Sequence, residues 1–577
     1  MTELNATLAW VNAILWHDVV LFAIVGTGIV FTVWSGFCQY WALRHGPTVV
    51  RGRYDDAADP GALNHYQALA TALSATVGLG NIGGVALAIA LGGPGAVFWM
   101  WVVGVLGMAI KLTEVTLAML YRNTDDPDNP HGGPMWVAER ALARKGYPRL
   151  GRTIGVVFCV SLLISTATGG NMFQAWNVGE ITQAYFRVPS WICGIVLAVI
   201  VGAVIIGGIR RIGRFAGTVV PLMVGAYLLA GLWVLAFHAA EIPGLFVLIV
   251  TSAFTPAEAA GAFLGGTAGS AFLFGMKRAI FSNEAGQGSS PIVHAAARTD
   301  EPVREGVVAG LEPFIDTLVV CTFTALIILV TGIWNRAPDL PFPAPPAFAE
   351  TGAGWQLPDM NLPGSDWHVG DSVSIVVRGG PNPVSGNDLH RLSGTVIPAA
   401  AGDTEAVRDE PAAADGAAPV PGYVVRWTAA TGERPVLVSD GIYRDYVGAT
   451  LTAKAFDSVT PGLGKWVITV AVWLFALSTM ISWAYYGEQA VVFIGGERPV
   501  LAYKLVYCAL IVVATLGLVR NAAALDNVIG TGTGIVVCAN LPIIWLFGRE
   551  AMVAYRDYIA RLKDGRIGAD PKMQERR

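Results

Sequence analysis

The chain has 577 residues, of which 54% are hydrophobic and only 14% are charged. Soluble proteins carry about 45–50% apolar and about 25% charged residues, so this composition excludes an ordinary soluble fold. The formal net charge of -4 offers no basic surface, and no nucleic-acid partner is expected. Six cysteines stand singly, without spacing for a disulfide framework or a zinc site, and no cofactor is predicted.

Apolar runs long enough to cross a membrane recur along most of the chain. A spanning helix needs about 20 mostly apolar residues, so the sequence predicts an all-α polytopic membrane protein. The start lacks a basic region and a small-residue cleavage site, so no signal peptide is expected and the first run stays as a helix. The eleven predicted spans are 17–37, 66–91, 96–121, 153–177, 190–209, 215–237, 258–282, 307–334, 464–486, 500–519 and 525–548.

Lys and Arg accumulate after the odd-numbered spans. Arg51 follows the first span, Arg144 the third and Arg210 the fifth, and residues 549–577 form a basic tail after the last. Because short cytoplasmic loops collect basic residues, this bias predicts an outer N-terminus and a cytoplasmic C-terminus. The predicted location is the inner membrane of a bacterium, surrounded by lipid.

The segment 336–462 interrupts the helical pattern. APDLPFPAPPAF and AAAGDTEAVRDEPAAADGAAPVP have the composition of extended linkers. The runs SVSIVVRG, LSGTVIP, YVVRWTA and PVLVSDG predict strands of a small β-rich module. The predicted division is helices 1–8 in 1–335, an extracytoplasmic insert in 336–462, helices 9–11 in 463–548, and the tail in 549–577. We interpret the insert as an addition without transport chemistry.

Glycines cluster in the middle of the second span. Gly78, Gly80, Gly83 and Gly84 flank Asn81. Non-helical backbone at membrane depth is tolerated only around a protein-lined cavity. An unwound segment there would offer carbonyls to a cation and amide N–H groups to a carboxylate. The cluster therefore predicts a broken helix with a binding site, and close helix packing is the alternative.

A second glycine-rich stretch lies in the seventh span. Four glycines, the last of them Gly275, precede Lys277 and Arg278, and this composition predicts a discontinuous helix. Two interrupted spans five helices apart are what an inverted repeat of five plus five helices predicts. The first span would then lie outside the repeat.

Polar residues in the fourth and ninth spans predict cavity walls. Gly169 and Gln174 are five residues apart, so they share no face of a continuous helix of about 100° per residue. For both residues to line one cavity, the helix must unwind locally or the ligand must contact the helix from two sides. In the ninth span Thr479 and Trp483 lie one turn apart on one face.

The hydroxyls of the ninth span are candidate ligands for a hard cation. Ser478 and Ser482 form a stripe beside Thr479, and neutral hydroxyl and carbonyl oxygens suit Na⁺. The alternative is that these hydroxyls bond their own helix backbone. As a hypothesis, Na⁺ binds between the second-span carbonyls and these hydroxyls, with the predicted ligands Gly78, Ser478, Thr479 and Ser482.

Few charges are expected inside the membrane. Lys111 and Glu114, three residues apart in the third span, predict a structural or gating ion pair. A proton relay is not favoured, because the sequence pattern places no histidine in mid-span and no acid near the centre of a span.

Three motifs carry a resemblance to a known family. They are GLGNIGGVALAIALGGPGAVFWMWV in the second and third spans, HGGPMW after the third span, and FSNEAGQGSSPIVHAAARTDEPVREG after the seventh. The chain resembles the alanine or glycine:cation symporter family, within the amino-acid transporter superfamily that has the leucine-transporter fold. The resemblance covers 15–336 and 447–548. It implies eleven helices, of which 2–11 form the inverted repeat, and Na⁺-driven import of alanine or glycine by alternating access.

The resemblance also implies residues of the substrate site. These are Gly78, Leu79, Gly80, Asn81, Gly169, Gln174, Thr479 and Trp483. Gly275, from the glycine-rich stretch of the seventh span, completes the predicted substrate site. Two departures stand out. The family usually reads GTGNIAG, whereas this chain has Leu79 for the threonine and Gly83 for the alanine. The family also joins the eighth and ninth helices by a short loop, so the segment 336–446 is not explained by the resemblance.

Two other functions remain open at this point. Leu79 removes a hydroxyl from the break, which makes a proton-coupled or facilitative amino-acid transporter the first alternative. The second is a transporter-like sensor whose outer insert binds a ligand. An enzyme is not predicted, because no nucleophile–base pair stands out, and the oligomeric state is left open.

Overall fold

The computed structural model describes most of the chain as helix. The described residues are 7, 10–12, 14–255, 268–352, 354–363, 367–380, 388–399, 422–430, 432–446, 448–517 and 522–567. Parts of four predicted segments therefore lie outside them: 258–267 of the seventh span, 400–421 of the charged linker, 518–519 of the tenth span, and 568–577 of the tail.

The helices are numbered here in chain order. They are α1 (Asp18–Trp34), α2 (Cys38–Val50), α3 (His65–Thr76), α4 (Val85–Gly92), α5 (Gly95–Leu120), α6 (Pro134–Arg144), α7 (Pro148–Ala167), α8 (Phe173–Phe186), α9 (Ser190–Ile205), α10 (Gly208–Phe237), α11 (Ile242–Ser252), α12 (Ala268–Asn283), α13 (Ser290–His294), α14 (Pro302–Ala309), α15 (Thr322–Val330), α16 (Ala449–Val459), α17 (Leu463–Gly495), α18 (Val500–Ala514) and α19 (Ala522–Lys563). Three π-helical turns lie within spans, at Gly80–Gly84, Thr168–Met172 and Phe314–Cys321.

Helices lie at every predicted span, and the all-α membrane architecture is confirmed. Among the described residues, six helices are long and apolar enough to cross a membrane, and two bent pairs raise the number to eight. One bent pair joins the first predicted span to the helix that follows it, Cys38–Val50, and the other bent pair is the second predicted span. The other three predicted spans hold α9, α12 and α18, which are only 15 or 16 residues long in the described part of the chain.

The second span breaks where its glycines cluster. Asn64 caps α3 by accepting a hydrogen bond from the Gln67 backbone, and α3 ends at Thr76. After a short non-helical link, the π turn Gly80–Gly84 leads into α4, and the two halves of the span are bent by 50°.

The described part of the seventh span is a helix that ends at a non-helical segment. Helix α12 runs from Ala268 through Gly275 to Asn283, and the non-helical segment comes before α13. Gln287 Nε2 donates to the Ile280 carbonyl at 2.8 Å, so a side chain bonds the end of the helix. Glu284 takes a left-handed conformation with φ of 57°. The first two glycines of the run lie outside the described residues, so the predicted discontinuity within 258–267 stays a prediction.

The insert folds as a small antiparallel β module. Its strands are β1 (Leu340–Pro341), β2 (Ala349–Thr351), β3 (Gly354–Gln356), β4 (Met360–Leu362), β5 (Ser372–Arg378), β6 (Leu389–Pro398), β7 (Tyr423–Trp427), β8 (Val436–Leu437) and β9 (Gly441–Arg444). The main sheet has the order β1-β9-β5-β6-β7-β4, with β8 beside β5, and β2 and β3 form a separate hairpin. Each of the four predicted β-branched runs contains a strand, which confirms the β-rich insert.

The module packs on the helices at the end of the second span. Leu91 at the end of α4 packs against Val376 and Tyr443. After β9 the chain enters α16, whose start touches the break, because a side chain at Gly83 would lie 3.0 Å from the Ala449 nitrogen. The Thr452 hydroxyl of α16 donates to a carbonyl of the same π turn at 3.3 Å. The module is therefore continuous with a helix that covers the break.

Candidate substrate and cation site

A small enclosed cavity lies beside the break in the second span. It is bounded by the second, fourth, seventh and ninth spans. Seven of the nine predicted substrate residues line it, namely Gly78, Leu79, Gly80, Gly169, Gln174, Thr479 and Trp483. The structure therefore brings together residues that are up to 405 positions apart in the sequence, the difference between 78 and 483.

The glycines of the break allow other helices to approach its backbone. A Cβ at Gly78 would lie 2.5 Å from the Thr479 hydroxyl, and one at Gly80 would lie 3.3 Å from the Phe281 ring. The first distance is too short for a contact unless the Thr479 hydroxyl moves, and the second is tighter than an ordinary contact of about 3.5–4.0 Å. The glycines therefore allow both the broken helix and the close packing of other helices against it. The two interpretations of the cluster are compatible.

Asn81 lies behind the cavity and braces the break. Its Oδ1 accepts a hydrogen bond from the Gly78 backbone N–H at 2.8 Å, which satisfies an amide that the broken helix leaves free. Its Nδ2 donates to a carboxylate oxygen of Asp316 in the eighth span. The Gly78 amide, which was predicted to meet a substrate carboxylate, is therefore occupied by Asn81 in this structure.

Asp316 is a buried carboxylate that the sequence analysis missed. Besides Asn81, it accepts hydrogen bonds from the Ser282 hydroxyl at 2.8 Å and the Thr317 hydroxyl at 3.0 Å. These partners are all neutral, and a buried carboxylate without a positive partner is costly unless it binds a cation or a proton. The three spans that meet here therefore form a candidate cation position. An acid within the apolar run LEPFIDTLVV was the available signal.

A π turn shapes the fourth-span wall. Within Thr168–Met172 the helix widens, and Gln174 Nε2 donates to the Gly169 carbonyl at 3.0 Å across a spacing of five residues. The Gln174 Oε1 atom is buried with no hydrogen-bond partner among the described residues. A Cβ at Gly170 would lie 2.5 Å from the Trp483 ring, so this glycine makes room for the indole. Gln174 thus presents a free acceptor at the cavity.

The hydroxyls of the ninth span fall into two groups. Ser478 Oγ donates to the Phe475 carbonyl at 2.9 Å, so this hydroxyl bonds its own helix. The Thr479 and Ser482 hydroxyl oxygens are buried without a hydrogen-bond partner among the described residues. Of the predicted cation ligands, all in the described part of the chain, Thr479 keeps a hydroxyl oxygen without a partner beside Gly78, and Ser482 keeps one on the next turn of the same helix. The Gly78 carbonyl already accepts from the Asn81 backbone N–H at 3.1 Å, and the Ser478 carbonyl already accepts from Ser74 at 2.8 Å.

Gly275 lies away from this cavity. A side chain there would lie 2.4 Å from the Ala96 carbonyl and 2.8 Å from Trp99 on α5. The structure therefore assigns Gly275 to close packing of α12 on α5, in place of the predicted substrate contact. The seventh span instead contributes Phe281, Glu284 and Gln287 to the cavity wall. Their signal was the motif FSNEAGQG.

The charges of the third span have different partners from those predicted. Lys111 Nζ lies 3.1 Å from a carboxylate oxygen of Glu312 in the eighth span. Glu114 accepts a hydrogen bond from Asn540 at 3.0 Å. The expected Lys111–Glu114 ion pair is therefore wrong, because spatial neighbours on other spans compete with the local spacing. The expectation of no acid within a span is also wrong, since Glu312 and Asp316 both lie in the eighth.

Known proteins match most of the chain. Sodium/alanine symporter AgcS of Methanococcus maripaludis is 33% identical over 531 residues, which cover 92% of this chain and 92% of that protein. The putative sodium/proton-dependent alanine carrier protein YrbD of Bacillus subtilis is 30% identical over 562 residues, or 97% of this chain and 93% of that protein. The solved structure of MhsT in complex with L-phenylalanine matches 86% of this chain and 96% of that chain, at 10% identity and a TM-score of 0.49.

A family model agrees with these relatives and confirms the resemblance found in the motifs. It is described as the sodium:alanine symporter family and matches residues 1–341 and 428–574. The unmatched stretch, 342–427, falls within the β module and contains strands β2 to β7. The chain belongs to the sodium:alanine symporter family.

Proposed function

We propose that the protein is a sodium-coupled symporter that imports a small neutral amino acid, alanine or glycine, by alternating access. The observation that carries the proposal is the cavity beside the broken second span, where backbone, the amide acceptor of Gln174 and the hydroxyl of Thr479 converge. AgcS, whose name gives sodium and alanine, matches 92% of the chain.

The cavity wall suits a small zwitterion. Gln174 and the break supply polar groups, and Glu284 at the edge of the cavity complements an ammonium group. The Trp483 indole and the Phe281 ring restrict the space available to a side chain. Such a wall favours alanine or glycine over larger amino acids, because extra atoms would meet these rings.

Two cation positions support the coupling to sodium. The first lies between the carbonyls of the break near Gly78 and the hydroxyls of Thr479 and Ser482. The second lies at Asp316, whose negative charge would balance a bound cation. Both involve the broken second span, so a cation and a substrate would stabilise the same closed arrangement. A ligand shifts conformers only through such differential affinity.

A proton-coupled transporter is the second candidate. Leu79 takes the place of the usual threonine in the cavity wall, and the name of YrbD gives both sodium and proton. In that case Asp316 would carry a proton in place of Na⁺.

Uptake of radiolabelled alanine and glycine into proteoliposomes tests the proposal. An inward Na⁺ gradient should drive accumulation above equilibrium, and a proton gradient alone should not. Accumulation driven by a proton gradient without Na⁺ would support the second candidate. Absence of flux in folded protein would contradict both and would favour the sensor hypothesis.

A further inference from the structure

A second set of buried charges lies apart from the cavity. His294 of α13 is fully buried between two carboxylates of the eighth span. Its Nδ1 lies 2.6 Å from Glu305 Oε1, and its Nε2 lies 2.6 Å from Glu312 Oε1. Both ring nitrogens therefore point at carboxylate oxygens at hydrogen-bond distance.

This geometry requires one proton more than a neutral imidazole carries. A neutral histidine has one N–H donor and one acceptor nitrogen, whereas an ionised carboxylate only accepts. If His294 were neutral and both carboxylates ionised, a nitrogen lone pair would face an oxygen lone pair at 2.6 Å. An imidazolium removes that repulsion, because each nitrogen then donates to one carboxylate.

The neighbouring groups place the proton on the ring. Glu312 also accepts from Lys111 Nζ at 3.1 Å and from the Ser290 hydroxyl at 2.8 Å, and both contacts favour its ionised form. With Lys111 and His294 positive and Glu305 and Glu312 negative, the cluster is neutral. Loss of the proton would leave one uncompensated negative charge in a buried site, which is costly.

His65 at the start of α3 makes a different contact. Its Nδ1 bonds Glu305, and its Nε2 has no hydrogen-bond partner among the described residues. One N–H group is therefore enough for the hydrogen bond that His65 makes, and the Asp55 carboxylate lies 3.9 Å from its Nε2. Within the described part of the chain, only His294 has a carboxylate at hydrogen-bond distance from both ring nitrogens.

Other ionisable groups lie around the cluster. They are Glu114 on α5, Arg122 after α5, Glu284 before α13, Tyr486 on α17, and Asp55, which lies 3.9 Å from His65. A metal does not explain the arrangement, since no group of three His, Cys, Asp or Glu among the described residues is arranged to hold one.

The electrostatics agree with the geometry. Burial lowers the pKa of His294, but the charge of Glu312 and the hydrogen bonds to Glu305 and Glu312 outweigh burial and raise this pKa to about 9. His294 lies in the segment between two spans, after α12 and before α14.

We infer that His294 binds one proton between Glu305 and Glu312, and that this proton fastens the α3 half of the second span to the eighth span. The link runs from α3 through His65 and Glu305 to His294 and Glu312. Since α3 leads directly into the break, the proton site holds one half of the broken span in place. The inference rests on this cluster alone and does not require the proposed function.

Nitrogen NMR of the full protein in lipid, labelled with ¹⁵N-histidine, tests the inference. The chain has eight histidines, and an ordinary histidine with a pKa of about 6.5 is neutral at pH 8. We expect one imidazolium signal to persist at pH 8 and to disappear in His294→Gln. The matched control is His45→Gln, which removes a buried histidine bonded to the neutral Tyr558 hydroxyl and should keep the signal.

Two further results keep the inference falsifiable if His294→Gln does not fold. His65→Gln should leave the imidazolium signal in place, and loss of the signal in that variant would move the proton to His65 and overturn the assignment. Neutral signals from every histidine at pH 8, in folded wild-type protein, would also overturn it. Because neither result depends on flux, failure of the inference is distinct from failure of the proposed transport.

The pH dependence of stability gives an independent readout. A raised folded-state pKa stabilises below the unfolded value of about 6.5, and this stabilisation is lost as pH rises through about 9. The thermal midpoint of the wild type should therefore fall between pH 7 and pH 10. His45→Gln should show the same fall, and His294→Gln a smaller one. An equal fall in His294→Gln would contradict the inference.

Discussion

The cavity and the His294 cluster are both buried and polar, but their hydrogen-bonding states differ. At the cavity, Gln174 Oε1 and the Thr479 hydroxyl have no hydrogen-bond partner among the described residues. In the cluster, each nitrogen of His294 meets a carboxylate, and Lys111 balances the remaining charge. Open acceptors indicate a place for a ligand, whereas a neutral and paired set of charges indicates a structural connection.

The first prediction breaks the charge balance of the cluster. Lys111→Met leaves Glu312 without its lysine, and removal of one partner from a buried pair costs about 3–5 kcal/mol of unfolding free energy. Lys111→Met with Glu312→Gln should recover most of that loss, because both charges are then removed. Thermal denaturation of the purified variants measures the effect.

The control for this change is Lys454→Met, which removes an exposed lysine on α16. Its effect should stay within about 0.5 kcal/mol. If Lys111→Met were no worse than this control, or if the double variant were no better than the single one, the balanced cluster would be contradicted.

The second prediction tests the buried carboxylate near the cavity. Asp316→Asn removes the negative charge and keeps the shape, and a hydrogen bond to a charged group contributes about 1.5–3 kcal/mol. The Na⁺ concentration for half-maximal uptake should therefore rise roughly 10- to 100-fold. The matched control is Asp445→Asn in the β module, where the carboxylate accepts a hydrogen bond from Ser374. This variant should leave the Na⁺ concentration for half-maximal uptake unchanged.

An Asp316→Asn variant with wild-type Na⁺ dependence would remove this position from the cation site. If uptake by Asp316→Asn kept its wild-type Na⁺ dependence but lost its dependence on pH, Asp316 would be assigned a proton.

The third prediction addresses the free hydroxyls. Thr479→Val keeps the shape of the side chain and removes one oxygen beside Gly78. The Na⁺ concentration for half-maximal uptake should rise about tenfold, because a neutral ligand contributes about 0.5–1.5 kcal/mol. Thr113→Val is the control, since that buried hydroxyl donates to the Ala109 carbonyl of its own helix at 2.8 Å. Equal Na⁺ dependence of the two variants would argue against the ninth-span site.

The smallest expected effect concerns the departure at Leu79. Leu79→Thr adds a hydroxyl to the cavity wall, and one hydrogen bond should strengthen alanine binding roughly two- to tenfold. Leu79→Val has nearly the same shape as Leu79→Thr but no hydroxyl. If the two variants bound alanine equally, the gain would come from space and not from the hydroxyl.

The sequence anticipated the parts of the site that local patterns encode. Clustered glycines predicted the break near Gly78, and the polar runs of the fourth and ninth spans supplied Gln174, Thr479 and Trp483. Glycine alone does not distinguish unwinding from packing, so Gly275 was misplaced. Its helix is continuous, and its missing side chain serves the contact with α5.

Partners on distant spans could not be predicted from spacing. Glu312 and Asp316 lie in an apolar run, and their partners Lys111 and Asn81 are about 200 or more residues away. Residue spacing relates positions within one helix, so it predicted Glu114, on the same helix, as the partner of Lys111. The paired charges became visible only when the third, seventh and eighth spans were seen together.

Alanine binding to the purified protein at a series of Na⁺ concentrations, with K⁺ keeping ionic strength constant, tests the central claim most directly. If cation and substrate share the broken second span, each must increase the affinity of the other. Titration calorimetry should therefore show the Kd for alanine falling as Na⁺ rises. A Kd that is the same with and without Na⁺, in folded protein that binds alanine, would contradict sodium-coupled symport.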